Sequence, residues 1–208
     1  MIKIGLVQIN NSFSGHSYIP YSVGLLQAYI QKYAIDASRF SFELPIYCRL
    51  SVVKAVDQLK DCEVVAFSLY VWNAKISLAI AKALRELNPE IFLVFGGPHV
   101  PDKSEEFLRA NPFIDIVING EGERAFCDLM NTYPARDWEL LESVSYITHG
   151  IFHARPKAER IKQIDMIPSP FLEGVFDRLL AEHTNEQWLV PWETNRGCPF
   201  SCTFCDWG

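Results

Sequence analysis

From the amino terminus to about residue 130, short apolar runs alternate with longer stretches in which apolar residues recur every three or four positions. A short apolar run bounded by turn residues reads as a strand covered on both faces, and the three-to-four spacing reads as a helix with one apolar stripe. Ile2–Ile9 is the first such run. The polar stretch Asn10 to Ser17 reads as a loop, and after Pro20 the residues Val23, Leu26, Ile30 and Tyr33 fall at helical spacing. Phe40–Leu44 reads as a second strand, Leu50–Leu59 as a helix and Val64–Leu69 as a third strand. Asn73 stands where a helix cap belongs, ahead of a stripe made by Ile76, Ile80, Ala83, Leu84 and Leu87. Ile91–Phe95 is a fourth strand and Ile114–Ile118 a fifth, with Asp102 and Glu105 at the spacing of a capping box for the helix between them.

Strands that alternate with helices belong to parallel sheets covered on both faces. The expected fold class is therefore α/β, a Rossmann-like (flavodoxin-like) doubly wound parallel sheet. In such sheets ligands lie outside the carboxyl ends of the strands, near the point where strand order reverses. That singles out three loops: Ser68 to Asn73, which includes Tyr70 and Trp72; Gly96-Gly97-Pro98-His99; and Gly120-Glu121-Gly122. Glycine lets backbone approach a ligand closely, and Tyr70 and Trp72 offer a flat apolar surface. Turn chemistry alone accounts for the same glycines, and Trp72 also suits a core, so the residues by themselves leave both readings open.

Past residue 130 the pattern weakens. Val144–Thr148 and Ile151–Ala154 flank His149-Gly150 as a hairpin would. Asp165 to Pro170 contains two prolines and reads as a stiff connector. Trp188 to Gly197 reads as a strand running into a glycine turn. The organisation expected is a domain over 1–130, a connector with a possible hairpin over 131–187, and a further unit that begins over 188–208. His16, His149 and His153 read as polar surface residues.

Composition narrows the function classes. The chain has 208 residues, 49% of them hydrophobic and 13% aromatic, which suits one full domain and part of another and argues against disorder. Its net charge of −6 argues against nucleic acid, whose binders carry a basic face. Lys157, Arg160 and Lys162 read as a solvated connector. No run approaches a membrane span and no cleavable leader is legible, so a cytoplasmic protein with reduced thiols and no membrane partner is expected. Cys48, Cys62 and Cys127 are scattered and read as small buried hydrophobes.

The remaining cysteines are not scattered. Cys198, Cys202 and Cys205 lie in the run Cys-Pro-Phe-Ser-Cys-Thr-Phe-Cys. Three thiolates at gaps of three and two residues can wrap one side of an iron–sulfur cluster and leave one iron open for a further ligand. A structural zinc site is the alternative, although such sites usually pair two knuckles and no second cysteine pair lies near.

With aromatic Phe204 directly before the last cysteine, this motif resembles the signature of the radical S-adenosylmethionine enzymes. The order Pro20-Tyr-Ser-Val-Gly24-Leu-Leu, Ser68-x-Tyr70-x-Trp72-Asn73, Gly96-Gly97-Pro98-His99 and Gly120-Glu121-Gly122-Glu123 ahead of it resembles the cobalamin-binding branch of that family. The resemblance implies that Cys198, Cys202 and Cys205 hold a [4Fe-4S] cluster whose open iron binds S-adenosylmethionine. It implies that the strand-end residues Ser68, Tyr70, Trp72, Asn73, Gly96, Gly97, Gly120 and Glu121 bind cobalamin. It also implies a small-molecule or peptide substrate, an electron donor such as a flavodoxin or ferredoxin, and in many members methyl transfer. On this reading residues 188–208 open a β/α barrel, and the chain is the N-terminal part of such an enzyme, inactive alone. One departure stands out: the Asp-x-His-x-x-Gly of methionine-synthase-like cobalamin domains has no counterpart, because the loop reads Asn10-Asn-Ser-Phe-Ser-Gly15-His16. A bound corrinoid is then expected to lack a histidine beneath cobalt. The competing readings are a non-catalytic corrinoid- or substrate-binding module with a structural metal, and a flavin or nucleotide binder, which lacks a G-x-G-x-x-G cradle.

Overall fold

A computed structural model of the chain describes residues 1–198, 200 and 202–204. Its strands are β1 (Ile2–Val7), β2 (His16–Tyr18), β3 (Phe40–Phe42), β4 (Val64–Ser68), β5 (Phe92–Gly96), β6 (Ile116–Ile118), β7 (Val144–Thr148), β8 (Ile151–Ala154) and β9 (Gln187–Leu189). Its helices are α1 (Tyr21–Tyr33), α2 (Val52–Leu59), α3 (Ala74–Leu87), α4 (Glu105–Ala110), α5 (Gly122–Thr132) and α6 (Asp177–Glu182). The main sheet runs β3-β1-β4-β5-β6-β7-β8. Its first five strands are mutually parallel, and strand order reverses at β1, as expected of a flavodoxin-like sheet.

The apolar runs form strands because both faces are covered. Val64 and Ala66 face one layer together with Leu6, Val94, Phe126 and Leu129, so α1 and α5 pack on that side. Val65 and Phe67 face the other with Phe95, Ile80, Leu84 and Leu59, beneath α2, α3 and α4. Alternation along each strand thus feeds two cores, and both must be apolar. Gly24 in α1 admits the ring of Phe176, whose nearest atoms lie 2.2–3.1 Å from where a Cβ would stand. That close approach docks the α6 segment, where Ile19, Tyr47, Phe176 and Leu179 make a third, smaller core.

The hairpin is present over Val144–Thr148 and Ile151–Ala154, and β7 pairs antiparallel with β6, so it continues the main sheet. His149 and Gly150 both have positive φ, 49° and 78°, as a two-residue hairpin turn requires. His153 stacks on Tyr146 at 4.9 Å. From residue 187 on, strand character among the described residues covers Gln187–Leu189, and its partner is β2, in a parallel two-stranded sheet.

Two capping expectations fail. Ser104, not Asp102, occupies the N-cap of α4, and Asp102 instead meets Lys157 at 2.9 Å. The ion pair draws the carboxylate away from the helix. Asn73 stands at the N-cap of α3 but makes no capping bond, because its amide is spent inward on the strand ends.

Candidate cofactor site

Because β1, β4, β5 and β6 are parallel, their carboxyl ends share one edge, and the three sequence-selected loops meet there. Asn73 is fully buried and stitches this edge together. Its Nδ2 donates to the carbonyls of Ile9 at 3.1 Å and Ser68 at 3.0 Å, and its Oδ1 accepts from the amide of Tyr70 at 2.8 Å. Trp72 Nε1 donates to the same Ile9 carbonyl at 3.2 Å. The indole stacks on Tyr70 with centroids 4.6 Å apart and is 43% exposed, so a flat apolar face is turned outward beside the strand ends. Ser68 is buried, and its hydroxyl meets that of Ser22 at 3.0 Å; Ser22 in turn donates to Gln8 Oε1 at 2.7 Å.

The glycines differ in kind. Gly97 has φ +103°, and a Cβ there would lie 2.7 Å from the Leu69 carbonyl oxygen and 2.8 Å from its nitrogen. Only glycine lets the β4 and β5 loops touch through backbone, where Leu69 N donates to Gly96 O at 2.7 Å and His99 N donates to Leu69 O at 3.1 Å. Gly120 has φ +85° with nothing within 4 Å of its Cβ position, so the β6 loop presents bare backbone to open space. A cavity of about 300 Å³ opens beside the end of β1, lined by Asn10, Ser12, Ser17, Tyr18, Tyr47 and Arg49 among others. Burial pushes the Tyr47 hydroxyl up to about 12.

Glu121 does not turn toward Trp72. Its Oε2 accepts from the amide of Ile161 at 2.8 Å, and its Oε1 lies 3.6 Å from the guanidinium of Arg196. Arg196 also donates from Nη1 and Nη2 to the buried carboxylate of Glu123, and from Nε and Nη2 to Glu193 at 3.1 and 3.0 Å. Burial opposes the charge of Arg196, but the carboxylates of Glu123 and Glu193 outweigh it and hold the guanidinium above its ordinary pKa. The chain just before the cysteine motif is thereby held at the start of α5, on the strand-end edge.

Cys198 and Cys202 are exposed, free thiols. Cys205 lies outside the described residues, and among the described residues no cluster of three potential metal-ligating side chains forms. Sequence reading missed Gln8, Ser22, Glu123, Glu193 and Arg196. Gln8 was detectable as a polar residue inside the apolar run Ile2–Ile9; nothing local in the sequence names the partners of Arg196.

Residues 4–130 match the B12 binding domain family. The chain belongs to that family. Its relatives include the cobalamin-dependent radical SAM methyltransferase TokK of Streptomyces tokunonensis, 36% identical over 99% of this chain and 30% of TokK. The 2-(S-pantetheinyl)-carbapenam-3-carboxylate methyltransferase of Streptantibioticus cattleyicolor is also 36% identical, over 92% of this chain and 29% of that protein. The chain thus spans about three-tenths of the length of these curated relatives. Among solved structures, the cobalamin-dependent S-adenosylmethionine radical enzyme OxsB with aqua-cobalamin and S-adenosylmethionine superposes with a TM-score of 0.73 over 99% of this chain and 28% of OxsB, at 19% identity. The radical S-adenosylmethionine methyltransferase TsrM of Kitasatospora setae gives 0.57 over 76% of this chain and 31% of that one, at 17% identity. At such identities the likeness is one of fold.

Residues 4–130 take in the strand-end loops that follow β4, β5 and β6. The edge combines bare backbone at Gly120, a part-exposed indole at Trp72 and close-packed loops at Gly97, with the exposed Arg49 donating to the Trp72 carbonyl at 3.0 Å. His16 Nδ1 meets the Ser14 carbonyl at 3.0 Å from within β2, and His99 is exposed in the β5 loop. Among the described residues no helix is long and apolar enough to cross a membrane.

Proposed function

We propose that this chain carries the cobalamin-binding domain and cysteine loop of a radical S-adenosylmethionine enzyme, acting in methyl transfer. The observation that supports it best is the anchoring of the Cys198 loop, through Arg196 and Glu123, to the edge on which a B12 binding domain receives its ligand. Ser68, Tyr70, Trp72, Asn73, Gly96, Gly97, Gly120 and Glu121 form or support the corrinoid surface, with no protein histidine on cobalt. Cys198, Cys202 and Cys205 hold the [4Fe-4S] cluster, with S-adenosylmethionine at its open iron. When bound, the cluster would supply electron chemistry toward S-adenosylmethionine and the corrinoid a methyl carrier. The residues of this chain do the holding: Asn73 fixes the strand ends, Trp72 shields one side from water, and the thiolates supply the negative donors that iron needs. Residues 188–208 begin the barrel whose further strands would close the site. A small-molecule or peptide substrate, a flavodoxin- or ferredoxin-like electron donor and a cytoplasmic location belong to the same reading.

Anaerobic reconstitution with iron, sulfide and hydroxocobalamin tests it. The wild-type chain is expected to take up about four irons and one corrinoid. Cys198→Ala/Cys202→Ala/Cys205→Ala is expected to lose the iron and keep the corrinoid, with a cobalamin spectrum unchanged in His16→Ala and His99→Ala. Equal iron in the triple variant, or no corrinoid retained by folded protein, refutes the corresponding half. One zinc in place of iron favours the non-catalytic module.

A further inference from the structure

Three carboxylates, those of Glu121, Glu123 and Glu193, surround the single guanidinium of Arg196, which stands two residues before Cys198. The side chain of Arg196 is 15% exposed and that of Glu123 6%, so this is no surface ion pair. Glu123 and Glu121 belong to the first turn and cap of α5, directly after β6, whereas Glu193 belongs to the same segment as Arg196. One guanidinium therefore joins two parts of the chain 73 positions apart and braces its own segment internally. Gly197, next in sequence, has φ +81°, and a Cβ there would stand 2.9 Å from Arg160 Nη1. The backbone turn toward Cys198 is thus hemmed in on both sides, by Arg196 against α5 and by Arg160 against Gly197.

We propose that Arg196 is a positioning residue that locks the segment from Glu193 to Cys198, the approach to the cysteine motif, onto the first turn of α5. For the cluster this rests on the reading above: Arg196 and Gly197 would set the direction from which Cys198 presents its sulfur to it. Lysine does not substitute. An ammonium is a point donor and cannot engage two carboxylates in the planar, forked way the guanidinium does.

Two readouts on the 208-residue chain test this. The first, on iron-free protein, is amide hydrogen exchange over residues 193–198; Arg196→Lys and Arg196→Gln are expected to exchange there at least tenfold faster than wild type, with β4 and β5 unchanged. Glu193→Gln, which leaves Glu123 paired, is expected to give about a threefold increase and guards against a fold-wide effect of stranding Glu123. The second is the rate of iron loss from reconstituted protein to a chelator, expected to rise about tenfold in Arg196→Lys while hydroxocobalamin affinity stays within twofold. Exchange within twofold of wild type in both Arg196 variants overturns the proposal, as does iron loss unchanged in a loop shown to exchange faster. Faster exchange in the variants with no iron taken up by wild type supports Arg196 as the lock and sinks the cluster reading instead.

Discussion

Replacing Gly97 by alanine separates two contributions that the structure makes unequal at two neighbouring glycines. At Gly97 the backbone has φ +103°, beyond the left-handed well that non-glycine residues tolerate, which costs about 1–3 kcal/mol. The new Cβ would also lie 2.7 and 2.8 Å from backbone atoms of Leu69. Those atoms are not free to yield, since Leu69 N donates to Gly96 O and Leu69 O accepts from His99 N. Displacing them weakens two hydrogen bonds worth about 1 kcal/mol each, giving a total of about 3–5 kcal/mol. At Gly120 the φ of +85° is nearer the left-handed well and nothing lies within 4 Å, so Gly120→Ala is expected to cost only about 1 kcal/mol. Urea unfolding followed by circular dichroism reads the difference: with a slope of about 2 kcal/mol per molar, Gly97→Ala shifts the midpoint down by about 1.5–2.5 M and Gly120→Ala by about 0.5 M. Hydroxocobalamin titration of the still-folded Gly97→Ala fraction is expected to show weakened binding if the corrinoid lies on the proposed edge, because the β4 and β5 loops there have been pushed apart. Equal midpoints for the two variants would refute the claim that backbone contact between the β4 and β5 loops requires glycine.

Asn73→Ala removes three hydrogen bonds from a fully buried site, takes the partner from the Ser68 carbonyl and the Tyr70 amide, and leaves the Ile9 carbonyl to Trp72; a loss of about 2–4 kcal/mol by urea unfolding is expected, with a change in tryptophan fluorescence as Trp72 loosens. Burial pushes the thiols of Cys62 and Cys127 up to about 12 and about 11 from 9.0, so the unfolded chain sheds these protons from about pH 9 while the folded chain keeps them. Stability is therefore expected to be unaffected by these thiols below pH 9 and to fall as pH rises through 9 to 11, by up to about 1.4 kcal/mol per pH unit for each thiol. A Cys62→Ala/Cys127→Ala chain with the same alkaline slope as wild type would show the assignment to be wrong.

The parallel sheet was legible because burial on both faces leaves a continuous apolar run, as in Val64–Leu69, and because each run ends at a turn residue on the same edge. The hairpin was legible from its turn: His149-Gly150 supplies two positive φ angles between segments of alternating character. What escaped was set by distant partners. His16-Ser17-Tyr18 has no periodicity of its own and becomes a strand only because β9 lies beside it. Asp102 and Glu105 carry the spacing of a capping box, but Lys157, 55 positions on, takes the carboxylate. Asn73 was recognised at the right place for the wrong reason, since a local capping rule cannot foresee the Ile9 carbonyl arriving from another strand. Arg196 stood in plain view next to Gly197-Cys198, yet its meaning lies in Glu123.

The two-stranded sheet of β2 and β9 is the slenderest joint in the molecule. Three residue pairs, seconded by the Ser17–Glu186 hydrogen bond across 169 positions, close a loop that contains every strand of the main sheet except β1. The entropy of closing so long a loop is recovered only once everything inside it has condensed, so this seam is the last to form. Its residues are half-exposed or exposed, backed by one small cluster, and its opening free energy lies far below that of the seven-stranded body. The peptide that leads to the cysteines is consequently fastened twice, by a weak ladder at Gln187–Leu189 and a charged anchor at Arg196. Between those two points it is a strap tied at both ends, and loosening the ladder alone leaves the charged anchor in place.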